Sequence, residues 1–239
     1  MQLSDSFFPS GMFGMSAGLE SLVKYNKIKD DNDVLKFINQ QLCFQIVPCD
    51  CIVTIIAMDA VYNNNILSAV DIDKIYYSMK LVKEVRIAST RSGQQILNCI
   101  LQMSNTVRED RMIPSNILQT KEIKRDFVDR FLYKIQTRES AGTYPVCFGI
   151  AASCLGLPKK SSIRIMMYSY SVSIIGAALR MGIIQHLDGQ KILAAIGKTV
   201  NTLSESINRK SITDIWQLSP FTDIFQMIHE REDSRMFIT

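Results

Sequence analysis

The chain has 239 residues, of which 47% are hydrophobic and 21% charged, and its formal net charge is +4. That length supports one good-sized hydrophobic core without requiring a second domain, and the small, dispersed positive charge argues against a nucleic-acid-binding surface. The first residues lack the basic and apolar regions of a secretory signal, and the six cysteines lie mostly in apolar stretches. We therefore expect a single cytoplasmic domain, residues 1–239, without a disulfide framework.

The chain opens with residues 1–20, a segment that combines three glycines with a proline and three phenylalanines. Glycine and proline favour turns over helix, and glycine also lets the backbone approach another surface closely. The segment is therefore predicted to be a loop that contacts a partner or plugs the interior of the protein.

Helical periodicity dominates the rest of the chain, and strand-like alternation with turn residues appears nowhere convincingly. Pro48 is predicted to end the first helix, and the small residues between 144 and 155 predict close packing of their helix against a neighbour. A free tail, residues 233–239, is predicted after the last helix. We predict an all-α fold, a single-domain bundle of about nine or ten helices. The predicted helices cover residues 31–47, 50–63, 71–84, 85–105, 121–138, 144–155, 161–184, 188–207 and 221–232.

The apolar stretch 163–184 approaches the length of a membrane span. Arg164 and Arg180 bracket it, however, and serines interrupt it. It is therefore predicted to be a buried core helix, and we expect no membrane association.

Metal-binding patterns are weak in this sequence. His186 and His229 are the only histidines, and neither belongs to a paired-histidine spacing that would build a closed site. Cys49 and Cys51 follow a proline at a predicted helix start, where the helix dipole would favour a thiolate and a soft metal, although a buried, incidental pair is the alternative. These four residues are only weak candidates, and we expect no metal site and no cofactor.

Signatures of catalysis are missing from the sequence, which has no phosphate-binding glycine loop and no nucleophile elbow. We therefore expect that the protein is not an enzyme. Arg180, inside an apolar helix, must be paired or face a partner, because burying a lone guanidinium costs several kcal/mol. Arg235, Met236 and Phe237 resemble interface anchors on a tail that is typically disordered by itself, so a tail without function is the alternative.

Several short motifs, in this order and spacing along nearly the whole chain, resemble those of the urease accessory protein UreF family. His229-Glu230 also matches the end of that pattern, whereas Met236 replaces its usual leucine and the turn at Ile183–Gln185 replaces a proline and a glycine. The motifs are LSDSFFPSGMFGMSAGLE (3–20), ASTRSGQQIL (88–97), PVCFGIAA (145–152), AALR (177–180), DGQKIL (188–193) and SRMF (234–237).

This resemblance implies an all-α, homodimeric, non-catalytic scaffold with small-residue helices at the dimer interface. Such a scaffold binds UreD (UreH in some organisms) and the GTPase UreG, modulates GTP hydrolysis by UreG, and helps insert nickel into apo-urease. It implies that Phe13 and Arg180 face UreG and that the tail becomes ordered against UreD. The candidate partner-binding residues are Phe13, Ser16, Gly18, Glu20, Arg180, His229, Glu230, Arg235, Met236 and Phe237.

Two other classes of function remain open from the residues. The first is a direct nickel carrier that uses Cys49, Cys51, His186 or His229. The second is a helical enzyme with Glu20 and Arg180 in a pocket, which predicts turnover without partners.

Overall fold

The structure, a computed structural model, describes residues 15–106, 115–207 and 211–237. Across those residues the regular elements are helical, without a strand, which confirms the all-α prediction. Their α-helices are α1 (Leu19–Lys24), α2 (Asp31–Gln41), α3 (Ile52–Tyr62), α4 (Ile66–Met79), α5 (Lys83–Thr106), α6 (Ser115–Gln136), α7 (Tyr144–Cys154), α8 (Lys159–Arg180), α9 (His186–Ser206) and α10 (Pro220–His229). A π-helix, Leu42–Cys51, joins α2 to α3, and a 3₁₀ turn, Ile212–Asp214, precedes α10.

The chain does not leave the helix at Pro48, and the predicted break between two helices there is wrong. Leu42–Cys51 forms a π-helix that contains Pro48 and runs directly into α3. The wider π turn carries the chain past a proline whose missing N–H would interrupt an α-helix. In an α-helix Pro48 would leave the Phe44 carbonyl without a donor; here the Leu218 N–H donates to that oxygen at 2.9 Å.

The core centres on α7, which packs against α3 and α5. Gly149 of α7 lies so close to α3 that an added Cβ would be 2.6 Å from the Thr54 carbonyl oxygen. Gly93 of α5 lies just as close to the chain before α7, since an added Cβ would be 2.3 Å from the Gly142 carbonyl oxygen. The small residues of α7 therefore face helices of the same chain, as close packing predicted, and are buried there.

A buried carboxylate fixes the loop that leads into α7. Asp73 of α4 accepts hydrogen bonds from the backbone N–H groups of Ala141, Gly142 and Thr143 at 2.7, 2.8 and 2.8 Å, and from the Ser140 hydroxyl at 2.5 Å. The Thr143 hydroxyl donates to the same carboxylate. Asp73 has no exposed surface, so these donors replace its hydration.

Helices α8 and α9 pack against each other as a hairpin, close to the positions predicted for the helices 161–184 and 188–207. The connection is orderly despite the unusual residues Ile183–Gln185: Gly182 has a positive φ of 73°, and Gln185 and Asp188 form a capping box at the start of α9. Asp188-Gly189 thus has a local structural role.

Two helical stretches are long and apolar enough to cross a membrane by length and composition, namely Asp31–Tyr62 and Lys159–Arg180. In the fold, 78% and 56% of their apolar windows are buried. One hydrophobic core accounts for that burial, and both contribute to it.

Candidate functional site

The segment that leads to α10 lies along the π-helix and binds its carbonyl groups. The Trp216 N–H donates to the Pro48 oxygen at 3.2 Å, next to the bond that reaches Phe44. The Gln217 side chain donates to the Met79 oxygen and accepts from the Lys80 ammonium, both at 2.8 Å. These contacts set where α10 starts and therefore where its last residue, His229, lies.

His229 is fully buried between two glutamates from distant parts of the chain. Its Nδ1 is 3.1 Å from Glu84 Oε2 and its Nε2 is 3.0 Å from Glu20 Oε2. Both glutamates belong to the first turns of their helices, α5 and α1, where the helix dipole favours a carboxylate. Ionised carboxylates only accept hydrogen bonds, so this geometry requires an N–H on each ring nitrogen while both glutamates are ionised.

The same two glutamates bind the tail. Glu20 accepts from the backbone N–H groups of Met236 at 2.7 Å and Phe237 at 3.1 Å, one on each carboxylate oxygen. The Arg235 guanidinium donates to Glu84 Oε1. The remaining oxygen of Glu84 faces His229, so each carboxylate bridges the histidine to the tail.

Phe237 and Arg180 meet at the end of the tail. The Phe237 side chain is only 5% exposed, and the Arg180 guanidinium carbon lies 4.5 Å from its ring centroid. A guanidinium over an aromatic face is a favourable cation–π contact. Arg180 also donates to the Gly176 carbonyl at 3.1 Å, so it is a paired arginine on the protein surface.

The free tail predicted from the sequence is therefore wrong for the described residues. Residues 233–237 pack onto the chain itself with no partner present, because Glu20 and Glu84 supply acceptors and Phe237 enters the core. Of the three anchors, Arg235 and Met236 keep exposed side chains, at 37% and 64%, whereas Phe237 is buried.

The N-terminal candidates lie beside this cluster. Gly18 has φ 86° and precedes α1, and a Cβ on it would be 2.9 Å from the Gln226 side chain of α10, so glycine satisfies both the conformation and the close approach. Ser16 is buried, and Leu19 donates to its carbonyl at 3.0 Å. Phe13 lies outside the described residues. The segment predicted as a loop to residue 20 already contains the start of α1.

Glu230 has a structural role. Its carboxylate accepts from the Glu84 N–H at 2.7 Å, which satisfies a free donor at the start of α5. Glu232 is nearly buried and lies 3.2 Å from the Lys24 ammonium. The end of α10 is thus tied to both helices that hold the histidine.

Cys49 and Cys51 were weak metal-ligand candidates because a helix start there would favour thiolates. That premise is wrong. Both lie in a continuous helix and are buried, so desolvation raises the pKa of Cys49 to about 12 and raises that of Cys51 well above its usual value. His186 is exposed at the start of α9, and His229 is engaged on both nitrogens. Among the residues that the structure describes, no three histidine, cysteine, aspartate or glutamate side chains are grouped to hold a metal ion.

A second polar cluster lies deeper in the core. Lys80 and Asp50 form an ion pair at 3.3 Å with side chains only 4% and 7% exposed. Burial lowers the pKa of Lys80, but the Asp50 carboxylate and other nearby acidic groups together outweigh that effect, so the pKa is raised. Asp50, Tyr76 and Tyr170 line a cavity of about 100 Å³. This pair also anchors the chain before α10, through the bond from Lys80 to Gln217.

Sequence reasoning missed Glu84, which binds both His229 and Arg235. The prediction makes Glu84 the last residue of the helix 71–84, where a charged side chain is expected to face solvent. Lys80 and Asp50 were missed for the same reason, since a charged residue in an amphipathic pattern is expected on the surface.

The described residues thus form a helical protein with one hydrophobic core, at whose edge a polar cluster joins α1, α5 and the end of α10 to residues 235–237. Of the candidates named from the sequence, seven are joined by contacts in this cluster: Glu20, Arg180, His229, Glu230, Arg235, Met236 and Phe237.

The chain belongs to the UreF family, whose model matches residues 28–197. It is 27% identical over 237 residues to the urease accessory protein UreF of Trichodesmium erythraeum, covering 99% of this chain and 94% of that protein. It is also 29% identical over 238 residues to the urease accessory protein UreF 1 of Brucella melitensis, covering 100% and 90%. The UreF of Photorhabdus laumondii is 24% identical over 237 residues.

Proposed function

We propose that this chain acts in urease maturation as a non-catalytic scaffold. It binds UreD (UreH in some organisms) and the GTPase UreG, and it helps these proteins insert nickel into apo-urease in the cytoplasm. Nickel is the cargo of the assembly, and GTP hydrolysis belongs to UreG. Membership of the UreF family supports this function in its general form.

The observation that carries the proposal is the convergence of Glu20 of α1 and tail residues 235–237 on the cluster around His229. The tail presents Arg235 and Met236 at the surface, 37% and 64% exposed, while Phe237 holds it in place. Arginine and bulky apolar side chains are favoured interface anchors. A docked tail presents them in one geometry, which lowers the entropy that a partner must remove on binding.

Arg180 places the proposed UreG-facing surface next to the proposed UreD-facing tail, because its guanidinium covers Phe237. A scaffold that contacts both partners at adjacent positions can favour one nucleotide-dependent conformation of UreG through differential affinity. GTP hydrolysis and nickel transfer would thereby be coupled. The proposed homodimer uses a surface other than the small residues of α7, since these are buried against α3.

The test is co-purification with UreD and UreG of the same organism. We compare the full chain with a full-length Arg235→Ala/Phe237→Ala variant and with Tyr62→Ala, a control at a side chain that is 88% exposed. The expected result is that the full chain and the control capture both proteins and activate urease in cells lacking this chain, whereas the double variant loses UreD. Capture of neither partner, with nickel retained by the chain alone, would contradict the scaffold and support a carrier.

A further inference from the structure

We propose that the cavity beside Asp50 and Tyr170 is a binding site for a small neutral molecule that both donates and accepts hydrogen bonds, and that ordered water occupies it. This site is called the core cavity below. The inference is independent of the function proposed above, since it rests only on groups inside the fold.

Polar groups from three elements reach the core cavity, although most of its wall is apolar. Asp50 of the π-helix and Tyr170 of α8 line it, and they are only 5% and 8% exposed. The Tyr76 hydroxyl of α4 lies beside the Asp50 carboxylate. Apolar side chains that complete the wall include Ile46, Val85, Ala88, Pro145 and Met166.

Two polar atoms in this wall have no hydrogen-bond partner among the residues that the structure describes. They are Asp50 Oδ1 and the hydroxyl oxygen of Tyr170. The Asp50 oxygen lies 3.3 Å from the Lys80 ammonium, in an ion pair without hydrogen-bond geometry. Buried polar atoms in proteins are nearly always hydrogen-bonded, and an ordered water supplies the bond where protein groups do not.

The chemistry of these two atoms defines the ligand. Burial, and then the charge of Asp50, raises the pKa of Tyr170, so its hydroxyl keeps its proton and can donate. The Asp50 carboxylate only accepts. A molecule that contacts both must therefore donate to one and can accept from the other, as water does. The volume of about 100 Å³ holds about three water molecules, at the ~30 Å³ that each occupies in the liquid.

The core cavity selects against the two other kinds of small ligand. Lys80 is charged, since the acidic groups around it outweigh burial and raise its pKa. A metal cation at Asp50 would therefore meet an ammonium that already neutralises the carboxylate. An apolar ligand would leave both polar atoms without a hydrogen bond, which is unfavourable in a buried site.

Bound water completes a polar chain through the interior. Asp50 pairs with Lys80, and Lys80 donates to Gln217 at 2.8 Å in the segment that leads to α10. Water in the core cavity extends this chain to Tyr170, in the helix that ends at Arg180. It thereby connects the segment that positions α10 to α8, through two side chains that share no hydrogen bond of their own.

The first experiment is a high-resolution crystal structure of the full chain, with further crystals exposed to xenon gas and, separately, to nickel chloride. We expect ordered water within about 3.2 Å of the Tyr170 hydroxyl and the Asp50 carboxylate. Xenon binds dry apolar cavities, and anomalous scattering locates bound nickel, so neither should appear at this position.

Two variants test the site in solution. Tyr170→Phe removes the hydroxyl and keeps the ring, whereas Ala88→Val fills part of the core cavity. Oxygen-17 magnetic relaxation dispersion counts long-lived internal waters, and each variant should lower that count by at least about one. Tyr168→Phe, at an exposed tyrosine of the same helix, is the matched control and should leave the count unchanged. Circular dichroism verifies folding, and Tyr170→Phe decides alone if Ala88→Val does not fold.

Any of five results would overturn the proposal. Four concern the crystals: no ordered water beside the two polar atoms, xenon in the core cavity, nickel at Asp50, or a side chain of residues 1–14 filling the space. The fifth is a count of internal waters that Tyr170→Phe leaves unchanged.

Discussion

The helices around α7 and the segment of residues 211–237 are held by different forces. Around α7, contacts are close and largely apolar, with glycine required where backbones meet. The C-terminal segment is held mainly by polar contacts: its backbone N–H groups donate to carbonyl oxygens of the π-helix, and its tail bonds Glu20 and Glu84. Its buried aromatic rings are those of Phe225 and Phe237. The family match covers residues 28–197, which includes the first region and stops before the second.

The helices around α7 therefore determine the global stability of the fold, whereas the C-terminal segment can open locally. Close apolar packing has few alternatives, since a change of even one methyl group alters the free energy of unfolding. Charged contacts at the protein surface are screened by salt and exchange readily with water, so they can open locally while the core stays folded. Substitutions in the first region should therefore change global stability, and substitutions in the second should change local opening and binding.

The largest effect is expected from Asp73→Asn. An asparagine directs an NH₂ group at N–H donors of residues 141–143 and loses an acceptor, which should lower the free energy of unfolding by about 4 kcal/mol. Chemical denaturation measures this change. Asp71→Asn, at an exposed position of the same helix, is the control and should change stability by less than about 0.5 kcal/mol. Similar stability of the two variants would mean that Asp73 does not fix the loop.

Gly149→Ala should have the next largest effect. The added methyl group would lie 2.6 Å from a backbone oxygen of α3, so the two helices must separate, at a cost of about 2 kcal/mol. Thermal unfolding gives the comparison with Gly176→Ala, where a Cβ meets nothing within 4 Å. That control should be neutral or more stable by about 0.5 kcal/mol, as expected for alanine in a helix. Equal destabilisation by both would show that close helix approach is not what requires glycine at 149.

Arg235→Ala should act locally. Removing the guanidinium leaves Glu84 without its tail partner, so the Met236 and Phe237 amides should lose protection from hydrogen exchange by about tenfold while global stability falls by less than about 1 kcal/mol. High salt should produce part of the same effect in the wild-type chain. Arg231→Ala, at an exposed residue beyond α10, should leave these amides protected. A drop in global stability as large as that of Gly149→Ala would place the tail in the core region.

The smallest structural effect, and a clear chemical one, is expected from thiol alkylation. Exposed Cys43 should react with iodoacetamide at pH 8, while Cys49 and Cys51 should not. Burial raises the pKa of Cys49 to about 12, so its reactive thiolate is absent at that pH and appears only as the pH rises toward that value. Mass spectrometry of the native chain identifies the labelled residues. Labelling of Cys49 as fast as Cys43 would restore the pair as a metal-ligand candidate.

The sequence by itself determined the helical class and most helix positions, because apolar residues recur at helical spacing over long segments. It also indicated the close packing of α7, since small side chains let a neighbouring helix approach closely. Local chemistry was sufficient at these places, and the resemblance to the UreF family, which the family match confirms, was also present in the sequence.

Only the tertiary structure decided the rest. The helix continues through Pro48 because the chain before α10 supplies donors from about 170 residues away, at Trp216 and Leu218. Three helix ends converge and bring together the side chains of His229, Glu20 and Glu84. Because these residues lie far apart in the sequence, no local pattern predicts their contact. The tail is ordered for the same reason: a segment without structure of its own is fixed by acceptors that belong to other parts of the chain.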